Sequence, residues 1–106
     1  MANQFGERLK QLREQNNLLQ RQVASLLEID TPMLSKIERG ERKAKKEQVI
    51  QLAQIMKVSN DELLTLWLAD QLQDVIEGEA LADEALKKVS NNIKKSNKKD
   101  SSKDGK

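Results

Sequence analysis

Apolar side chains recur along this chain at intervals of three and four, the spacing that lines residues up on one face of a helix. Phe5, Leu9 and Leu12 mark a first helix over 4–16, closed by Asn16 and Asn17. Val23, Ala24 and Leu27 mark a short second helix over 20–27. Asp30 is placed to N-cap a third, with Leu34 and Ile37 inward and Gly40 just past its end, where a left-handed backbone costs glycine little. A fourth helix over 46–56 gathers Val49, Leu52, Ala53 and Met56 on one face. Ser59-Asn60-Asp61-Glu62 reads as a capping box, the Ser59 hydroxyl accepting the Glu62 amide and the Glu62 side chain reaching back to Ser59. The fifth helix that follows holds Leu63, Leu64, Leu66, Trp67, Leu68, Leu72, Val75 and Ile76, and Gly78 breaks it. A last helix is expected over 79–93, with Ala82, Leu86, Val89 and Ile93 spaced four, three and four. No apolar residue follows Ile93, so 94–106 is expected to be a disordered Lys-rich tail.

Composition narrows the chemistry. In 106 residues there is no Cys, no His and no Tyr, and aromatics are 2%. A zinc finger lacks its ligands, a disulfide framework is impossible, and Ser-His or Cys-His catalysis lacks its base. An aromatic platform for single strands lacks its rings. No apolar run approaches the ~18 residues of a membrane span, and MANQFGERLK has no apolar signal core. The expectation is a cytoplasmic protein with no cofactor, no metal and no membrane partner.

The net charge of +2 hides a strong asymmetry. Residues 1–57 carry 11 basic and 7 acidic side chains, 58–86 carry 8 acids and no Lys or Arg, and 87–106 carry 8 Lys and 2 Asp. Within 1–57 the basic residues concentrate at Lys36, Arg39, Arg42, Lys43, Lys45 and Lys46, a phosphate-facing surface or a solvated turn.

Two short helices joined by Glu28-Ile29-Asp30, the second ending in a Gly-bounded basic loop, form a helix-turn-helix arrangement. The second helix is narrow enough for a major groove. With Leu34 and Ile37 inward, rotation by 100° per residue puts Pro32, Ser35, Lys36 and Arg39 on the opposite face, flanked by Thr31. Thr31, Pro32, Ser35 and Lys36 are the base-edge candidates. Lys36 can donate to guanine O6 or N7, and the Thr31 methyl and Pro32 ring can touch a thymine methyl. Arg39 is placed as a phosphate clamp at the groove edge.

Residues 18–40, LLQRQVASLLEIDTPMLSKIERG, resemble the helix-turn-helix of the Cro and phage-repressor class, the Xre-type domain; SKIERG is the most characteristic part. The resemblance covers about residues 5–68. It implies a five-helix repressor-type helix-turn-helix domain over 1–70; helical spacing, which makes the whole chain read as an all-α fold, adds a helical extension over 71–93 and leaves the tail over 94–106. The resemblance implies that Arg13 and Glu38 form an ion pair linking the first and third helices. By the same resemblance Gln20 contacts a phosphate, and Arg42 and Lys43 lie in the loop that follows the DNA backbone. Three positions depart from the family pattern. Glu28 stands where Gly is usual at a positive φ, Leu19 replaces a Thr or Ser cap, and Pro32 cannot hydrogen-bond a base.

Leu66, Trp67, Leu68, Leu72, Val75 and Ile76 exceed what one small core absorbs, so a symmetric dimer is expected through them, against the alternative that the last helix covers them. The reading is a transcriptional regulator, repressor or activator, binding a two-fold symmetric operator in double-stranded DNA as a homodimer. A controller of restriction–modification genes is one form of it. The alternative is an antitoxin-type regulator whose C-terminal extension binds a partner protein. An enzyme using Asp70, Asp74, Glu77, Glu79, Asp83 and Glu84 around a divalent ion is set aside, because those carboxylates read as a solvated helical face.

Overall fold

The structure, a computed structural model, describes residues 2–104, and residues 97–104 by their backbone alone. Every regular element among them is a helix. The chain divides into two units, one ending at Val75 and one beginning at Ile76.

The first unit holds α1 (Gln4–Gln15), α2 (Gln20–Leu27), α3 (Thr31–Glu38), α4 (Lys46–Met56) and nearly all of α5 (Asn60–Ile76). Its core is one cluster: Phe5, Leu9 and Leu12 from α1, Val23, Ala24 and Leu27 from α2, Leu34 and Ile37 from α3, the α4 face, and Leu63 from α5. Helical spacing picks out these positions. Ala44, in the loop after α3, joins them without any periodic signal. Leu9, Leu34, Leu52 and Leu63 have no exposed surface at all. Burying each contributes roughly 1.5–3 kcal/mol against the entropy of ordering short helices that are unstable alone.

The four helices α1 to α4 end in the same turn. The amides of Asn17, Glu28, Gly40 and Lys57 donate to carbonyls three residues back, and those of Leu18, Ile29, Glu41 and Val58 to carbonyls five back. This is the Schellman pattern, and it needs a left-handed residue at the turn. Asn17, Glu28 and Lys57 take φ of 58, 59 and 61°, and Gly40 takes 78°. Leu18, Ile29 and Val58, next along, pack on the core, so each turn both stops a helix and plants an apolar anchor.

Helix starts are held by varied means. Asp30 Oδ1 accepts the Met33 amide at 2.8 Å. Leu19 and Lys45 offer no acceptor; instead Gln22 and Gln48 reach back to their amides, each at 2.8 Å, supplying one half of a capping box. Ser59 Oγ accepts the Glu62 amide at 3.1 Å. The reciprocal half expected there is absent. The Glu62 carboxylate accepts Arg8 Nε at 2.7 Å, tying α5 to α1 instead.

Gly78, at φ 85°, follows the end of α5. The second unit holds α6 (Ala82–Asp104), which begins three residues later than spacing suggests. Its Leu86, Val89 and Ile93 are exposed. Of the tail expected over 94–106, residues 94–104 continue α6 in their backbone, and 105–106 lie outside the described residues.

Candidate nucleic-acid interface

Three contacts fix α3 against α1. Gly6 is the point of closest approach: a Cβ there would lie 2.5 Å from the Glu38 carbonyl oxygen and 2.8 Å from that of Ile37. Asn3 Nδ2 donates to the Glu38 carbonyl at 2.9 Å, satisfying a helix-end acceptor. Arg13 then grips the Glu38 carboxylate, Nε to Oε2 at 2.7 Å and Nη2 to Oε1 at 3.2 Å, with Nη1 on the Leu18 carbonyl at 2.9 Å. Both side chains of this pair are largely buried, 11% and 3% exposed. The hydrogen bond to Glu38 raises the Arg13 pKa further above its ordinary value, against the opposing effect of burial. An ion pair this dry is satisfied at every polar atom. Its worth lies in setting the angle of α3, since desolvation offsets much of the attraction.

What α3 leaves outward is a polar, cationic strip. Pro32, Lys36 and Arg39 are exposed, Thr31 and Ser35 are partly so, and Leu34, Ile37 and Glu38 are buried. Pro32 sits in the first turn, where the missing amide costs no helix bond. Arg39 is not free in space. Its Nε and Nη2 fork onto Glu41, at 2.8 and 3.2 Å, and its Nη1 donates to Ser35 Oγ. The hydrogen bond from Arg39 holds the Glu41 carboxyl below its ordinary range, and the same bond raises the Arg39 pKa.

Gln20, at the start of α2, donates from Nε2 to Glu38 Oε1 at 2.9 Å. It is thus joined to the buried pair, with a second amide hydrogen left over. Arg42 and Lys43 are exposed in the loop after α3, and Lys43 Nζ lies 3.4 Å from Gln71 Oε1. Together with Met33, Lys45 and Gln48 they line a shallow cleft between α3 and α4. The structure therefore brings Thr31, Pro32, Ser35, Lys36 and Arg39 onto one helix face, with Arg42 and Lys43 in the loop that leaves it.

The six residues expected at a dimer seam do not share one environment. Leu66 and Trp67 pack against the core of their own unit, and Trp67 Nε1 donates to the Ala44 carbonyl at 2.8 Å. Leu68, Leu72 and Val75 are exposed, at 53%, 50% and 76%, and Ile76 is partly buried.

The contacts of two acidic side chains escaped the sequence reading. Glu41 bonds Arg39 across a glycine turn, a spacing that no helix rule flags. Asp70 accepts the amides of Gln4 and Phe5, at 3.0 and 2.9 Å, and so caps α1. Among the described residues no group of three or more acidic side chains is arranged to hold a metal ion, and no helix is long and apolar enough to cross a membrane.

A family model described as a helix-turn-helix domain matches residues 4–66, from the start of α1 into α5. No curated protein and no solved structure gives a significant match.

Proposed function

The chain belongs to the helix-turn-helix domain family, and from that membership we propose that it is a sequence-specific regulator of transcription that binds an operator in double-stranded DNA. The observation that carries this reading is the state of α3. Its inner face is locked to α1 through Gly6, Asn3 and Arg13, while its outer face is polar, cationic and uncovered. A helix held that rigidly has little ordering entropy left to lose on entering a major groove. In this reading Thr31, Pro32, Ser35 and Lys36 face base edges, and Gln20, Arg39, Arg42 and Lys43 face phosphates. Base contacts set the sequence, and phosphate contacts set register and affinity.

The operator is two-fold symmetric and the regulator a homodimer. The exposed Leu68, Leu72 and Val75 of α5 support this, because such a stripe is costly to leave in water. Two copies of α3 then meet successive turns of the groove, about 34 Å apart. Control of restriction–modification genes is one role open to so small a regulator. A second reading rests on α6, whose exposed Leu86, Val89 and Ile93 form an amphipathic face of the kind that docks a partner protein, as in an antitoxin.

The deciding experiment is selection from a random duplex pool at about 150 mM salt. A symmetric motif with half-sites about one helical turn apart is the expected result. Enrichment of nothing, or salt-sensitive binding without sequence preference, would shift the weight to the partner at α6.

A further inference from the structure

Ser35, Arg39 and Glu41 form a continuous hydrogen-bonded chain along the outer side of α3. Glu41 is not a wandering surface acid. Its amide makes the long bond of the Schellman turn to the Lys36 carbonyl at 2.9 Å, and Gly40, at φ 78°, fixes the bend before it. Its backbone is thereby delivered to one place beside the helix end. There both carboxylate oxygens receive the Arg39 fork, Nε at 2.8 Å and Nη2 at 3.2 Å, and the remaining arm, Nη1, is aimed back up the helix at Ser35 Oγ.

The direction of that last bond decides what Ser35 can do. A guanidinium carries five N–H donors and no acceptor. Ser35 Oγ must therefore accept from Arg39, which uses one lone pair and leaves the single O–H to point elsewhere. The positive charge beside the oxygen also weakens its remaining lone pair as an acceptor. Lys36, the next residue on the exposed side, is a donor as well. This stretch of α3 therefore presents chiefly donors, the Ser35 O–H and the Lys36 ammonium.

We propose that the chain Glu41–Arg39–Ser35 fixes Ser35 as a hydrogen-bond donor and makes this part of α3 select guanine, with Glu41 as the positioning residue. The inference rests on the reading that α3 enters the major groove. Guanine alone offers two adjacent acceptors there, O6 and N7, to match the paired donors of Ser35 and Lys36. Cytosine offers a donor, N4, and meets only the one Ser35 lone pair that the Arg39 charge weakens. Adenine sets a donor, N6, beside its one acceptor. Glu41 thus earns its place in a cationic surface by orienting a cation rather than by touching DNA.

The test is duplex selection and competition binding with the full chain and with Ser35→Ala and Glu41→Ala, both at surface positions. The wild-type half-site is expected to hold a guanine whose preference falls about fivefold in Ser35→Ala, the loss of one hydrogen bond, while other positions keep theirs. Glu41→Ala is expected to relax the same position and no other, with equal or tighter binding to duplex in general. A merely structural role for Glu41 would weaken every duplex alike and relax no single position. A selected motif that neither variant changes, or a position relaxed by Ser35→Ala that is not guanine, would overturn the proposal and leave the DNA-binding reading standing. Absence of any motif with the wild-type chain would overturn both.

Discussion

The Asp70 carboxylate caps α1 by accepting the Phe5 amide at 2.9 Å, across 65 residues of sequence. Its other oxygen takes the Gln4 amide at 3.0 Å. Asn3, the residue before α1, makes no cap bond of its own; its Nδ2 donates to the Glu38 carbonyl. A carboxylate at this end also meets the positive pole of the helix. One side chain therefore closes the five-helix unit by joining its last helix to its first. Asp70→Ala is expected to lower stability by about 1–2 kcal/mol, as loss of a cap does elsewhere. Thermal melting monitored by circular dichroism is the check, and an unchanged midpoint would show that the cap contributes nothing.

Gly6 lies in the interior of α1, where glycine normally costs about 1 kcal/mol relative to alanine. The carbonyls of Ile37 and Glu38 leave no room for a Cβ, at 2.8 and 2.5 Å. Gly6→Ala should therefore lose more to overpacking, about 1–3 kcal/mol, than it gains in helix propensity. The expected outcome is a lower denaturation midpoint in urea, with weaker DNA binding because α3 is pushed from its seat.

Much of this architecture is legible in the sequence. Leu9, Leu34 and Leu52 are buried where three-and-four spacing puts them, because a short amphipathic helix has only one face to bury. Gly40 ends α3 because the turn needs a positive φ. The exposure of Pro32, Lys36 and Arg39 follows from the 100° rotation once Leu34 and Ile37 are inward. Other features leave no local trace. Asp70 and Trp67 look like surplus acid and surplus apolar surface until the fold brings the α1 amides to one and the Ala44 carbonyl to the other. Glu62 fits a capping box by sequence, yet Arg8 is the stronger partner for a carboxylate within reach. Gln20 reads as a phosphate ligand by resemblance, while its bond to Glu38 depends on a pair that only the packing of α1, α2 and α3 assembles. Contacts between side chains and distant groups carry no periodicity, so pattern reading passes over them.

Glu28 and Lys57 hold left-handed backbone, at φ 59 and 61°, without being glycine or asparagine. That conformation costs an ordinary L-residue roughly 1–2 kcal/mol. Glu28→Gly and Lys57→Gly should each stabilise the fold by about 0.5–1 kcal/mol after glycine's own entropy cost. The two sites terminate different helices, so the gains should add in the double variant. Equilibrium denaturation decides it. A loss of stability at Glu28 would mean that its carboxylate makes a contribution beyond the turn.

The Arg39–Glu41 fork has a pH signature. The hydrogen bond from Arg39, and then its charge, favour ionised Glu41, so the folded chain holds this carboxyl below its ordinary value of 4.5. The contribution of the pair is therefore present above that ordinary value and is lost as pH falls through the lower, folded one. Carbon-detected NMR titration should find the Glu41 midpoint below 4.5, and Arg39→Ala should return it toward that value. A midpoint that ignores Arg39→Ala would mean the fork does not persist in solution.

Lys36 and Arg42 separate the two kinds of contact that the interface requires. Lys36 is exposed on the outer face of α3, and Arg42 is exposed in the loop that leaves it. If α3 lies in the groove, Lys36→Ala should relax preference at one base position and cost about 1–3 kcal/mol at the selected site. Arg42→Ala should instead weaken all duplexes alike and shallow the slope of log affinity against log salt by about 1, since one fewer phosphate is neutralised. The distinction is physical: a base-edge donor is worth most where its acceptor is present, and a phosphate contact is worth the same everywhere. Filter binding across a salt series, on the selected site and on a scrambled duplex, reads both effects. Wild-type behaviour of both variants would place the DNA on some other face of the domain.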